Sequence, residues 1–460
     1  MPQSSVNPAT GDVLAVIADH TEADIERLLS RAALAAARWR ATPLEARTAM
    51  LRRMADLLDE EREPLARLAT LEMGKPVAAS RQEVAKCALL CRYYADEAAA
   101  LLAPERVVRD GREEGAVHFL PLGVLLAIMP WNFPYWQAIR AAAPALAAGN
   151  VVLLKHASNV PQCALAIERL FTAAGAGDGA GDGAFTTLLI AGSRAGGLIE
   201  DPRVAAVTLT GSEAAGRDVG ARAGRAVKPC VLELGGSDPF VVLASADVDA
   251  AAATAVRARC INNGQSCIAA KRFIVHEEVY DAFAERFTAA MRALVIGDPL
   301  LDTTDIGPLA TASIRSEVDD QVRRTVAAGA RVLCGGVVPP GPGNTYPPTV
   351  LGNVPRDSAT AREEVFGPVA PLFRVAGADE ALALANDTTF GLGASVWTRD
   401  PAEARRFADG IETGSVFINA MVASDPRFPF GGVKASGIGR ELAREGIRSF
   451  VNVKTVRGTP

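Results

Sequence analysis

Apolar residues recur at three- and four-residue intervals over 22–39 and 43–59, with Thr21 and Thr42 placed to cap the two N-termini. That is the period of helices burying one face. The same period continues over 76–102. Then the rhythm changes. Arg106-Val107-Val108-Arg109, the polar run Asp110-Gly111-Arg112-Glu113-Glu114-Gly115 and Ala116-Val117-His118-Phe119-Leu120 predict a β-hairpin. Short β-rich runs at 124–128, 151–154 and 205–209 read as buried strands, with a helix over 162–173 among them. After Glu233 the alternation restarts: strand over 240–243, helix over 250–262, strand over 272–275, helix over 278–294. This pattern predicts an α/β fold on parallel sheets, most simply two α/β units joined near Gly235-Gly236.

The loops carry little chemistry. Gly175-Ala176-Gly177-Asp178-Gly179-Ala180-Gly181-Asp182-Gly183 lacks the Gly-Lys-Ser/Thr of a phosphate cradle and reads as a flexible surface loop. Val337-Val338-Pro339-Pro340-Gly341-Pro342-Gly343-Asn344 reads as another. With 49% hydrophobic and 22% charged residues, 460 positions suffice for two or three cores. A net charge of −5 gives no pull toward nucleic acid or an anionic membrane. Pro121, Pro130, Pro134 and Pro144 cut the most apolar stretch, so no membrane span is expected. Met1-Pro2-Gln3-Ser4-Ser5-Val6 shows no secretory pattern. Seven cysteines without a regular framework suit a reducing compartment, and cytoplasm is the expected location. Cys87 and Cys91, on one helix face, are expected in the core. No second ligand pair accompanies them, and no metal is expected.

Two glycine-marked runs hold the candidate chemistry. Cys267 closes Asn263-Gly264-Gln265-Ser266-Cys267, and Glu233, 34 positions upstream, stands in Leu232-Glu233-Leu234-Gly235-Gly236. A soft nucleophile and a carboxylate base are the pair that covalent chemistry at a carbonyl needs. By residue type alone, Cys267 would be a small core residue and Glu233 a solvated strand end. No histidine stands near Cys267, which argues against a thiol protease. Ala269 leaves no local disulfide partner.

Pro130-Trp131-Asn132-Phe133-Pro134, Glu233-Leu234-Gly235-Gly236 and Gly264-Gln265-Ser266-Cys267 resemble, in order and spacing, the three catalytic signatures of the NAD(P)-dependent aldehyde dehydrogenase superfamily. Thr210-Gly211-Ser212, Glu364-Val365-Phe366-Gly367-Pro368 and Pro429-Phe430-Gly431-Gly432-Val433-Lys434 extend the likeness, which runs from about Asn7 to the C-terminus. The resemblance implies a Rossmann-like cofactor domain (1–105 and 123–235) and an α/β catalytic domain (236–448). It adds a β-hairpin oligomerisation arm (106–122 with 449–460), pairing subunits in a homodimer or homotetramer. It also implies that Cys267 attacks an aldehyde to form a thiohemiacetal, while the Asn132 amide and the Cys267 N–H hold the oxyanion. Hydride passes to NAD(P), and Glu233 deprotonates the water that hydrolyses the thioester. Trp131, Gly211, Ser212, Leu234, Glu364 and Phe366 would line the dinucleotide site, with Gly211 and Ser212 at the pyrophosphate and Glu364 on the nicotinamide ribose.

Lys155-His156-Ala157-Ser158 matches the segment that meets the adenosine ribose. Strongly NAD-selective relatives often carry glutamate where Ser158 stands. Serine removes that repulsion of a 2′-phosphate and Lys155 adds positive charge, so NADP is the expected cofactor, with NAD accepted. The segments 155–160 and 424–430 look most like short bacterial succinate-semialdehyde dehydrogenases. Arg140, Ser424 and Arg427 are then the expected clamp on a distal carboxylate, although Ile261 stands where some relatives place a second arginine. Trp136 and Phe430 would equally line a tunnel for another aliphatic or aromatic aldehyde. Outside redox chemistry, the alternatives are a thioester hydrolase or a binding protein on this scaffold. A coenzyme-A-dependent variant is disfavoured by Glu233.

Overall fold

Val124–Met129, Val151–His156 and Val204–Thr210 are largely buried along their length, and they centre a six-stranded sheet. The computed structural model describes residues 2–109, 112–176 and 179–458. Strands buried on both faces suit parallel pairing under covering helices. Across the sheet run Gly437–Ile438, Cys230–Glu233, Val204–Thr210, Val124–Met129, Val151–His156 and Phe185–Thr187, every pair parallel except the first. Chain order reverses between Val124–Met129 and Val204–Thr210. A crevice therefore opens beyond their C-terminal ends, the usual seat of a ligand in such sheets.

The second sheet has seven strands: Arg331–Cys334, Thr349–Gly352, Val369–Val375, Arg272–His276, Pro239–Val242, Gly393–Trp397 and Ser415–Ile418, with only the first pair antiparallel. One apolar cluster gathers Val241, Ile274 and Phe373; another gathers Phe240, Phe273 and Phe287. Glu233 ends a strand of the first sheet, and Pro239 begins one of the second. The chain thus crosses from the C-terminal edge of one sheet to the N-terminal edge of the other within a glycine-rich turn.

Glu105–Arg109, Arg112–Pro121 and Val451–Arg457 form a separate antiparallel sheet. The C-terminal strand pairs along the hairpin from Val451 opposite Pro121 to Arg457 opposite Gly115. The polar turn is shorter than expected, because Arg112 to Gly115 already belong to the second strand. Asp110 and Gly111 lie outside the described residues.

The helical N-terminal region holds one correction and one addition. Thr21 caps Glu22–Ala41 in a capping box with Asp24. Thr42 is not a cap of the next helix, Leu44–Glu60, which starts after Pro43; its hydroxyl instead donates to the Arg38 carbonyl at 3.0 Å. Arg62–Met73 is a further helix that no periodicity above anticipates. Val77–Leu101 buries both Cys87 and Cys91 in the core. The described part of the glycine-rich run is held down: Gly181 and Gly183 are buried, and Asp182 accepts from Arg31 at 2.6 Å. Gly177 and Asp178 lie outside the described residues. No described helix is long and apolar enough to cross a membrane.

Candidate active site

Turns from both sheets meet at the seam. Pro130-Trp131-Asn132 follows Val124–Met129, Gly211-Ser212 follows Val204–Thr210, and Leu234-Gly235 follows Cys230–Glu233. The Cys267 loop arrives from the other side, ahead of Arg272–His276. Asn262 and Asn263 adopt left-handed backbone, at φ 55° and 57°, which asparagine tolerates better than most residues. Their amides anchor the loop. Asn262 Nδ2 donates to the carbonyls of Asn132 (2.7 Å) and Gln265 (2.9 Å), and Asn263 Nδ2 to those of Gly74 (3.1 Å) and Pro308 (3.0 Å). Gly264, at φ 76°, passes so close to Gly367 that a Cβ would meet its backbone at 2.4 Å. The buried Lys271 Nζ donates to the Ser266 (2.8 Å) and Cys267 (2.7 Å) carbonyls.

Cys267 lies in the wall of two cavities. The first, about 230 Å³, is also lined by Lys86, Phe133, Trp136, Arg140, Ser424 and Phe430. It is smaller than the roughly 300 Å³ at which drug-sized pockets begin, so it admits only a small molecule. The second, about 440 Å³, occupies the crevice and is lined by Trp131, Asn132, Gly211, Ser212, Leu234, Glu364 and Phe366. Burial pushes the Cys267 thiol up to about 12, opposed by Lys271 and Arg140. Its resting form is therefore the thiol, and a base is needed for attack.

Glu233 is buried, and neither carboxylate oxygen has a hydrogen-bond partner among the described residues. Burial, then the neighbouring Glu441, holds it well above the ordinary carboxylate range, against Arg140 and Arg440. Gly431 leaves it room, since a Cβ there would meet Glu233 Oε1 at 2.5 Å. Asn132 Nδ2 donates to the Gln265 carbonyl at 3.1 Å.

At the crevice, Ser212 caps the helix Glu213–Arg225, and the N-terminal N–H groups of such a helix favour an anion. Glu364 accepts from the Gly236 N–H at 3.0 Å and lies 3.5 Å from Lys271 Nζ. A Cβ on Gly235 would sit 2.4 Å from Glu364 Oε2, so glycine is what lets that carboxylate lie there. Trp131 and Phe366 meet edge to face at 5.7 Å. Lys155 is the penultimate residue of the adjacent strand, buried and with its pKa lowered by burial; Ser158 lies just beyond the strand, half-buried. Neither lines the described cavity.

The substrate clamp differs from expectation. Arg427 does not reach the cavity: it is exposed and bound to Asp425, at 2.6 Å from Oδ2 and 3.0 Å from Oδ1, because a carboxylate two residues away captures it first. Arg140 does reach it, but its Nε stands 2.5 Å from Glu441 Oε2, and its guanidinium lies 4.9 Å above the Phe430 ring. Ser424 lines the cavity and accepts at 2.6 Å from Lys86 Nζ, a residue the sequence did not single out. Lys86 also sits 4.3 Å over the Trp136 ring, and burial brings it down to about 8. Nothing local flags Lys86, because 338 positions separate it from Ser424. No cluster of three or more metal-ligating side chains occurs among the described residues.

The sequence model of the aldehyde dehydrogenase family matches residues 2–456. The chain is 54% identical over 458 residues to succinate-semialdehyde dehydrogenase [NADP(+)] 1 of Mycobacterium tuberculosis, covering 99% of each chain. It is 53% identical over 456 residues to a probable succinate-semialdehyde dehydrogenase [NADP(+)] of Synechocystis, again covering 99% of each. A crystal structure of succinic semialdehyde dehydrogenase from Streptococcus pyogenes in complex with NADP+ superposes with a TM-score of 0.96 at 36% identity, covering 100% of both chains.

Proposed function

The chain belongs to the aldehyde dehydrogenase family, and we propose that it oxidises succinate semialdehyde to succinate, with NADP preferred over NAD. The observation that carries this is Cys267, shared between a small cavity with cationic groups and a crevice built for an anion-bearing ligand. The curated relatives named for this substrate, matched end to end, support it.

The crevice fits a dinucleotide by its chemistry: a helix N-terminus, close glycine backbone, a carboxylate for hydroxyls and flanking aromatic rings. Trp131, Gly211, Ser212, Leu234, Glu364 and Phe366 would hold it, with Lys155 and Ser158 toward the adenosine ribose. When bound, its nicotinamide supplies the hydride acceptor. Cys267 Sγ bonds to the aldehyde carbon as the carbonyl pair moves onto oxygen, and the thiol proton leaves to solvent in the cavity. Asn132 Nδ2, released from Gln265, and the Cys267 N–H stabilise the oxyanion; losing one such donor costs on the order of 10²–10³ in turnover. Glu233, once ionised, takes a proton from the water that hydrolyses the Cys267 thioester.

Phe133, Trp136 and Phe430 make the small cavity's walls largely apolar, which favours a second reading, an uncharged aliphatic or aromatic aldehyde. Initial rates at 340 nm for succinate semialdehyde, hexanal and benzaldehyde, each with NADP and NAD, separate the two. Preference for hexanal or benzaldehyde overturns the first. Exposed Val107, Val108, Val453 and Val456 on the arm support a homodimer or homotetramer; full activity in a monomeric species by light scattering counts against it. Seven unpaired cysteines support a cytoplasmic setting.

A further inference from the structure

The small cavity has two cations in its wall, Lys86 and Arg140, and they are not equivalent. Arg140 is spent on Glu441 and the Phe430 ring. Lys86 lines the cavity with its ammonium on the Ser424 hydroxyl, and no carboxylate pairs with it among the described residues. The acidic residue nearest in sequence on that wall, Glu83, is already engaged: it accepts from the N–H groups of Tyr135 (2.8 Å) and Trp136 (2.9 Å) and pairs with Lys75. An anion approaching Lys86 therefore meets a Glu83 held by Lys75, an Asp425 held by Arg427, and an ammonium that has no carboxylate partner among the described residues. The Trp136 ring beneath the ammonium fixes its position.

We propose that Lys86, with Ser424 beside it, receives the distal carboxylate of the substrate and sets the preference for an ω-acid aldehyde. This rests on the reading of the substrate above. Arg140 then acts as a structural partner of Glu441. The lysine lies on the helix Val77–Leu101 and the serine beyond the last strand of the second sheet, so the carboxylate seat is assembled from the two ends of the chain.

The test compares kcat/KM for succinate semialdehyde and for butanal, the uncharged four-carbon aldehyde, in the full chain with NADP. In Lys86→Met the ratio of the two is expected to fall about 30-fold, through KM for the acid, as for loss of a charge-assisted hydrogen bond. Lys86→Arg is expected to restore most of it. An unchanged ratio in Lys86→Met overturns the proposal. A wild-type enzyme without preference for the acid overturns instead the substrate reading on which it rests. If Lys86→Met turns over neither aldehyde, succinate binding by calorimetry decides. Affinity kept in Lys86→Arg and weakened in Ser424→Ala supports the seat, and the reverse pattern overturns it.

Discussion

Arg140 and Glu441 meet inside the protein, Nε to Oε2 at 2.5 Å, with side chains 2% and 6% exposed. Such a pair is costly to break from one side, because the remaining charge stays buried without compensation. Glu441→Gln is expected to destabilise the protein by about 3–5 kcal/mol. The double variant Arg140→Met/Glu441→Gln should lose less than the sum of Arg140→Met and Glu441→Gln alone. Chemical denaturation of the four proteins measures this cycle, and additive losses would contradict the coupling.

Glu233 is expected to act after acylation. Glu233→Gln should give one burst of NADPH per active site and then stall, with steady turnover lower by on the order of 10²–10⁴. The sign with pH follows from its raised pKa: the group is protonated on the acid side and useless as a base. Thioester hydrolysis should therefore quicken as pH rises and the proton leaves. Stopped-flow absorbance at 340 nm reads both, and a full steady-state rate in Glu233→Gln would remove the role.

Cofactor choice is expected to turn on Ser158. Placing a carboxylate there repels a 2′-phosphate and accepts a 2′-hydroxyl, so Ser158→Glu should lower the NADP/NAD ratio of kcat/KM by at least about tenfold. A wild-type ratio already favouring NAD tenfold would reject the premise.

Binding of the acid substrate is expected to weaken in alkali. Burial brings Lys86 down to about 8, with Arg140 adding to the effect and Cys87, Asp425 and Glu83 opposing it. Below that pH the free enzyme offers an ammonium; above it, an amine. KM for succinate semialdehyde should then climb about tenfold per pH unit above about pH 8, while that for butanal does not follow. Parallel pH profiles for both aldehydes would argue against Lys86.

Much of the fold was legible because the strands are short, buried and β-rich, as at Val124–Met129 and Val204–Thr210. The helix Arg62–Met73 escaped because Glu61 interrupts the preceding helix and the polar run 59–63 hides the apolar period. Thr42 looked like a cap, yet Pro43 already supplies the non-helical entry and the hydroxyl turned back to Arg38. At the site, Cys267 and Glu233 stood out in glycine-marked runs, and Asn132 only through the resemblance carried by Pro130-Trp131-Asn132-Phe133-Pro134; Cys267 and Asn132 share the crevice wall, and Glu233 ends a strand beside it. Arg427 misled, although Asp425 two positions away was a visible competitor. Lys86 had no local signature, since its place depends on packing between chain segments that are remote in sequence.

Two distinct cavities share Cys267 in their walls. Aldehyde and nucleotide need not queue behind one another. A blocker lodged in either one leaves the other open, so inhibitors aimed at the two ligands should occupy one molecule together.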